Sequence, residues 1–172
     1  MTSLVVLIGP MASGKTKIGK RIARLVKAPR IDTDKMFVAE HGPIADYFAA
    51  HGEPSFRERE AKYVAQALAT DSVVSLGGGA VLDEGTQELL EKVPVVALTV
   101  RAEAVESRLG DGKRPLVANG IQAWTDIYER RRPIYERLAQ RTYDTSRGNL
   151  DDIADDIALW IQSGYRSEQK VW

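Results

Sequence analysis

The stretch Leu4-Val5-Val6-Leu7-Ile8-Gly9-Pro10-Met11-Ala12-Ser13-Gly14-Lys15-Thr16 decides how the rest of the chain is read. Leu4 to Ile8 is an unbroken apolar run, the length of a strand buried on both faces. Gly9 ends the run, and Gly14-Lys15-Thr16 then completes the pattern G-x-x-x-x-G-K-[ST]. A buried strand before this pattern and helical periodicity after it are the setting in which it forms a phosphate-binding loop. Each part has a chemical task. Gly9 and Gly14 let the backbone turn tightly, so that successive N–H groups face phosphate oxygens. Lys15 reaches the β- and γ-phosphates, the Thr16 hydroxyl can ligate Mg²⁺, and the helix beginning near Lys15 adds its positive dipole end. A glycine-rich turn that binds nothing would leave the lysine and the hydroxyl at that spacing unexplained.

Outward from the loop, Ile18, Ile22, Leu25 and Val26 recur at helical spacing, and Pro29 lies beyond the end of that helix. Ile31 opens a short strand running into Asp32-Thr33-Asp34. On an extended segment both carboxylates point to one side, and with this strand parallel beside the first they sit above the phosphate loop. The competing reading makes Asp34 the cap of a helix starting at Lys35. Two helices follow, Ile44 to Ala50 and about Glu53 to Ala69, with Pro54 in the first turn of the second. Arg57 and Glu60 are three apart and share a face, either as an oriented ion pair or as part of a solvated charged surface. Val73 to Leu76 is a buried strand that ends in Gly77-Gly78-Gly79, where the backbone closely approaches a ligand or another loop.

Asp83 caps a helix reaching Lys92, and Pro94 to Val100 is the next buried strand. Ala102 to Leu109 is a short helix bearing Arg108. Gly110 to Leu116 is polar, glycine-rich and cationic, the composition of a lid. Helical spacing returns from Ile121 to Ala139, with Trp124, Ile127, Ile134 and Leu138 as core positions. Pro133 should kink or tighten this helix, and one of Arg130, Arg131 and Arg132 can turn inward at the bend. Thr142 to Thr145 is a final strand, Leu150 to Ile161 a closing helix, and 163–172 a tail. Alternating strands and helices predict an α/β fold, a three-layer α/β/α arrangement around a five-stranded parallel sheet. Ligands bind such sheets beyond the carboxyl ends of the strands.

At 172 residues the chain is read as a single domain. Its 24 basic residues balance its 24 acidic ones, which argues against a broad nucleic-acid or membrane-surface footprint. It has no cysteine, so disulfides and thiolate metal sites are excluded. No apolar run approaches membrane-spanning length, and the N-terminal strand has no signal-peptide pattern. A cytoplasmic protein is expected.

Together the motifs GPMASGKT, IDTD, FRERE, SLGGGAV, KRPL and ERRRPIY resemble those of the shikimate kinase family, from about Leu4 to Ile161. The resemblance implies a P-loop fold of the nucleoside-monophosphate-kinase type, with a lid at about 110–120 and substrate-binding helices at about 33–62. ATP would be the co-substrate, with Mg²⁺, and shikimate the acceptor, in a monomer. It implies that Gly9, Pro10, Met11, Ala12, Ser13, Gly14, Lys15 and Thr16 hold ATP, joined by Arg108, Arg114 and Arg147. Thr16 and Asp32 would serve the metal, Asp32 through its water shell. Asp34 would bind the substrate diol and act as base, and Arg57 and Arg131 would bind the carboxylate. Gly77, Gly78 and Gly79 would touch the ring, with Ile44, Phe48 and Phe56 on its apolar side. Lys15, Asp34 and Arg114 would carry the catalysis. Ala12 departs from the family's usual glycine, Lys17 replaces a common threonine, Val117 stands in a slightly short lid, and Leu150 replaces a frequent proline. A gluconate- or nucleotide-type kinase and a non-catalytic nucleotide-binding module are the rival readings.

Overall fold

The computed structural model describes residues 3–109 and 120–165. Its strands are β1 (Val5–Ile8), β2 (Arg30–Asp32), β3 (Val73–Ser75), β4 (Val95–Thr99) and β5 (Arg141–Asp144), all parallel, in the order β2-β3-β1-β4-β5. The helices among the described residues are α1 (Lys15–Val26), α2 (Thr33–His41), α3 (Ile44–His51), α4 (Glu53–Leu68), α5 (Glu84–Leu90), α6 (Ala102–Leu109), α7 (Gly120–Leu138) and α8 (Leu150–Gln162). A 3-10 turn, Ala80–Leu82, leads into α5. None of these helices is long and apolar enough to cross a membrane.

The period of two along each strand builds both cores. Val6, Ile8, Val74, Val95 and Ala97 face a cluster closed by α4, α5, α6 and α7. Val5, Leu7, Val73, Val96 and Leu98 face the opposite cluster, closed by α1 and α8. β1 is therefore apolar and buried at every position, whereas Arg30 to Asp32 of β2 are only half-buried. That difference settles strand order. β1 takes the centre, and β2 goes to an edge, with β3 between them. The expected adjacency of β1 and β2 is thus corrected.

Asp32 and Asp34 do not share one face of a strand. β2 stops at Asp32, whose extended backbone and carboxylate cap α2, accepting from the N–H of Asp34 at 3.0 Å and of Lys35 at 3.3 Å. A cap carboxylate satisfies amide groups that have no partner within the helix. Asp34 is therefore a first-turn helical residue and not the cap. In α1, Leu25 is 39% exposed, while Gly19 and Ala23 turn inward beside Ile18 and Ile22. A Cβ at Gly19 would lie 3.1 Å from the Ser75 hydroxyl, so the helix packs closely on the sheet.

α7 runs through Pro133 as one helix. Its buried face is Trp124, Tyr128, Tyr135 and Leu138, and Ile127 and Ile134 are only half-buried. The aromatic residues win because the polar ends of Trp124 and Tyr135 reach loop carbonyls, at Met11 and Gly78. Asp83 caps α5 as expected, accepting from the Thr86 N–H at 2.7 Å. Asp83→Ala should cost about 1 kcal/mol, a fall in Tm of about 2–4 °C by calorimetry. An unchanged Tm would mean that this cap contributes nothing.

Candidate functional site

The order of the sheet puts a crevice beyond the carboxyl ends of β1 and β4, where the chain leaves β1 toward the β2 edge and β4 toward the β5 edge. The phosphate loop fills this point. A Cβ at Gly9 would come within 2.5 Å of the Leu98 carbonyl, so only glycine lets the loop pass β4. Gly14 adopts φ 94° at the start of α1. Lys15 Nζ donates to the carbonyls of Gly9 at 2.6 Å and Pro10 at 2.8 Å. Ala12 has φ 66°, the left-handed conformation that suits the family's usual glycine. An L-residue pays about 1–2 kcal/mol for it.

A cavity of about 1100 Å³ opens in front of this loop. Met11 to Thr16 form one wall. Asp34, Ile44, Phe48, Phe56, Arg57, Gly77 to Gly79 and Arg131 line the other side. α2, α3 and α4 deliver the acid, the apolar residues and Arg57, and they rest on a small aromatic core of Phe37, Tyr47, Phe56 and Tyr63. α7 delivers Arg131. Most of the residues singled out in the sequence therefore meet in one place.

The charged groups hold one another. Glu60 is 5% exposed and accepts from Arg57 Nη1 at 2.8 Å, while Glu53 accepts from Arg57 Nε at 3.3 Å. The pair is oriented rather than part of a solvated face. Burial pushes the Glu60 carboxyl up, against the pull of Arg57. Burial, reinforced by the Asp32 charge, likewise raises Asp34, although Lys15 and Arg57 oppose the shift. The three glycines leave room for these groups. A Cβ at Gly77 would lie 2.5 Å from Asp34 Oδ1, and one at Gly79 would overlap the Arg57 guanidinium. Gly78 faces Arg131, whose Nη1 would be 3.4 Å from a Cβ there. Tyr135 donates its hydroxyl to the Gly78 carbonyl at 2.5 Å, and burial pushes that hydroxyl up to about 12, so it stays a donor.

A metal bound with a nucleotide triphosphate needs few protein ligands, because phosphates and water complete its shell. Among the described residues no cluster of three or more His, Cys, Asp or Glu could hold an ion alone. Thr16, Asp32 and Ser75 all line the cavity, and Ser75 lies opposite Asp32 in the β2–β3 register. The Ser75 hydroxyl is buried with no hydrogen-bond partner among the described residues. Two hydroxyls and a carboxylate fit a hydrated Mg²⁺.

Not every residue singled out in the sequence lines this cavity. Gly9 and Pro10 shape the loop from behind and do not line the cavity. Arg147 is exposed and outside it. The Asp144 side chain accepts from the Ser146 N–H at 2.9 Å, and this turn carries Arg147 to the surface. Arg108 does line the cavity, but its Nη1 also donates to the Ala12 carbonyl at 2.7 Å. Arg114 and most of the expected lid and tail lie outside the described residues. Sequence reasoning missed Ser75, Lys35 and Val38 as lining residues. It also missed Trp124 and Thr145 as supports of the loop. Only the position of Lys35 and Val38 on α2, after IDTD, offered a signal.

The chain matches the shikimate kinase family over residues 11–162. It is 43% identical over 157 residues to a shikimate kinase of Corynebacterium efficiens, covering 88% of this chain and 93% of that protein. The fold superimposes on a shikimate kinase of Acinetobacter baumannii solved in complex with shikimate, with a TM-score of 0.86 and 31% identity, covering 97% of this chain and 96% of that one. A gluconokinase of Sinorhizobium meliloti is also similar, at a TM-score of 0.65 and 19% identity over 94% of this chain and 92% of that one, a likeness of fold alone. With GPMASGKT, IDTD, FRERE, SLGGGAV and ERRRPIY meeting around one crevice and these relatives spanning nearly its whole length, the chain belongs to the shikimate kinase family.

Proposed function

We propose that this protein transfers the γ-phosphoryl group of ATP to a ring hydroxyl of shikimate, forming shikimate 3-phosphate. The observation that carries the reading is the pairing of two halves in one cavity. A phosphate loop with Lys15 forms one wall, and Arg57, anchored on buried Glu60, faces Asp34 across the glycine triplet on the other. A fixed guanidinium fork recognises a carboxylate, and an acid nearby recognises hydroxyls, so the pocket asks for a small ring carrying both.

The roles follow from that geometry. The loop and Lys15 cradle the phosphates, and Arg108 serves the nucleotide. Arg57 and Arg131 grip the carboxylate, and Ile44, Phe48 and Phe56 cover the ring. Asp34 accepts from the reacting hydroxyl and takes its proton as the oxygen attacks phosphorus, while ADP leaves. Mg²⁺ would be held by Thr16 and, through water, by Asp32, and would supply positive charge against the β- and γ-phosphates. Arg114 is assigned to the transferring phosphoryl group on its place in KRPL alone. A monomeric, cytoplasmic enzyme is part of this reading.

A coupled ATPase assay tests the reading: turnover should depend on shikimate, and gluconate should not replace it. Gluconate-dependent turnover would overturn it. Arg57→Lys should raise the KM for shikimate about ten- to a hundredfold, the equivalent of about 1.5–3 kcal/mol for a charged hydrogen bond. Its kcat should change little, because the carboxylate is remote from the reacting oxygen. An analogue with the carboxylate reduced to an alcohol should bind wild type poorly and lose little more in Arg57→Lys. Wild-type affinity for that analogue would remove the carboxylate grip.

A further inference from the structure

Three consecutive carbonyls of the phosphate loop are held from outside it. Trp124 Nε1, on α7, donates to Met11 O at 2.9 Å. Arg108 Nη1, on α6, donates to Ala12 O at 2.7 Å. Thr145 Oγ1, just after β5, donates to Ser13 O at 2.8 Å. The other terminal nitrogen of Arg108 donates to the Thr145 carbonyl, so two of the three supports are tied together. A trans peptide points its N–H opposite to its C=O. Carbonyls held outward at Met11 and Ser13 therefore turn the N–H groups of Ala12 and Gly14 inward. The Ser13 N–H makes a long turn bond of 3.3 Å to Pro10 O.

Ala12 sits in the middle of this arrangement, in the left-handed conformation. Released from its supports, an alanine relaxes toward negative φ, and the peptides on either side rotate with it. Packing alone does not call for the indole N–H. Trp124 is 4% exposed, stacks 5.2 Å from the Tyr128 ring and does not line the cavity. A phenyl ring keeps an aromatic face against Tyr128 without the donor.

We propose that Trp124 is a positioning residue for the nucleotide: with Thr145, its indole N–H holds the Met11–Gly14 backbone in the phosphate-binding conformation that Ala12 would otherwise leave. This rests on the reading of the loop as the ATP cradle. Trp124 does not line the cavity, so it acts only through the loop.

Trp124→Phe keeps an aromatic ring against Tyr128 and removes the donor. ADP affinity, measured by calorimetry, should fall about 5- to 30-fold, which is the left-handed penalty of about 1–2 kcal/mol expressed as a loss of competent population. Affinity for shikimate alone should not change. Adding Ala12→Gly should restore most of the ADP affinity, since glycine takes positive φ without penalty. Should Trp124→Phe fail to fold, Thr145→Val with and without Ala12→Gly decides the matter by the same pattern. Three results would each overturn the proposal: undiminished ADP affinity, an equal loss of shikimate affinity, or no rescue by glycine. A wild-type protein that bound no ADP would bring down the nucleotide reading itself, and the proposal with it.

Discussion

Lys15→Ala should lower kcat by about 10²–10³, the effect of removing one preorganised donor from a site of developing charge. Lys15 Nζ holds the Gly9 and Pro10 carbonyls at 2.6 and 2.8 Å, so the charge sits within the loop that is to meet the phosphates. Little reorganisation is then required at the moment of transfer. Losing those two bonds also costs about 1 kcal/mol of stability each, which leaves the protein folded. The measurement is steady-state turnover in the coupled assay, alongside a thermal melt. A folded mutant turning over near the wild-type rate would sink the assignment of the loop.

Asp34→Asn should lower kcat by about 10²–10⁴, the usual contribution of a positioned base, and should at the same time raise Tm at neutral pH. The two effects share a cause. Burial, with the Asp32 charge, holds the Asp34 carboxyl above its ordinary value. A folded-state pKa above the unfolded one means that the folded protein binds the proton more readily. Stability is therefore lost as pH rises from the unfolded value through the raised one, and the cost is fully present once the carboxyl is ionised. Asparagine removes the charge and the cost. Below both values the acid is protonated in either state, so the Tm gain should vanish at strongly acid pH. The base must be ionised to work, so wild-type kcat/KM for shikimate should rise with pH through the same raised value. A mutant with wild-type kcat would remove Asp34 from the chemistry, and a lowered Tm at neutral pH would contradict the burial argument.

Arg57 shows how far local spacing reaches and where it stops. Three residues separate it from Glu60 on α4, and that separation places both side chains on one face. Whether the pair is a solvated decoration or a buried fork depends on what packs over it. The small core under α2, α3 and α4 buries Glu60, and the missing side chain at Gly79 makes space for the guanidinium. Arg131 has no such local signal. Its neighbours Arg130 and Arg132 are exposed, and Arg132 pairs with Glu136 at 2.9 Å. Beyond the resemblance of ERRRPIY, only the docking of α7 against Gly78 distinguishes Arg131 from them. Ala12 lies between these cases, since the motif raised the question of its conformation and the loop's φ answered it.

What the sequence by itself determined is what neighbours along the chain decide. The apolar run into Gly9, the helix starting at Lys15, the Asp83 cap and the shared face of Arg57 and Glu60 depend on bonds and periodicities spanning a few residues. These survive without any knowledge of what lies across the sheet. Tertiary structure alone decided the edge position of β2 and the preference of α7 for Tyr128 and Tyr135 over Ile127 and Ile134. It also brought Trp124, Arg108 and Thr145 to the carbonyls of Met11, Ala12 and Ser13, across as many as 132 residues of chain. The reason is that burial and hydrogen-bond satisfaction are settled by whichever distant groups arrive. A buried carbonyl must find a donor, but nothing in its own segment says which element will supply it.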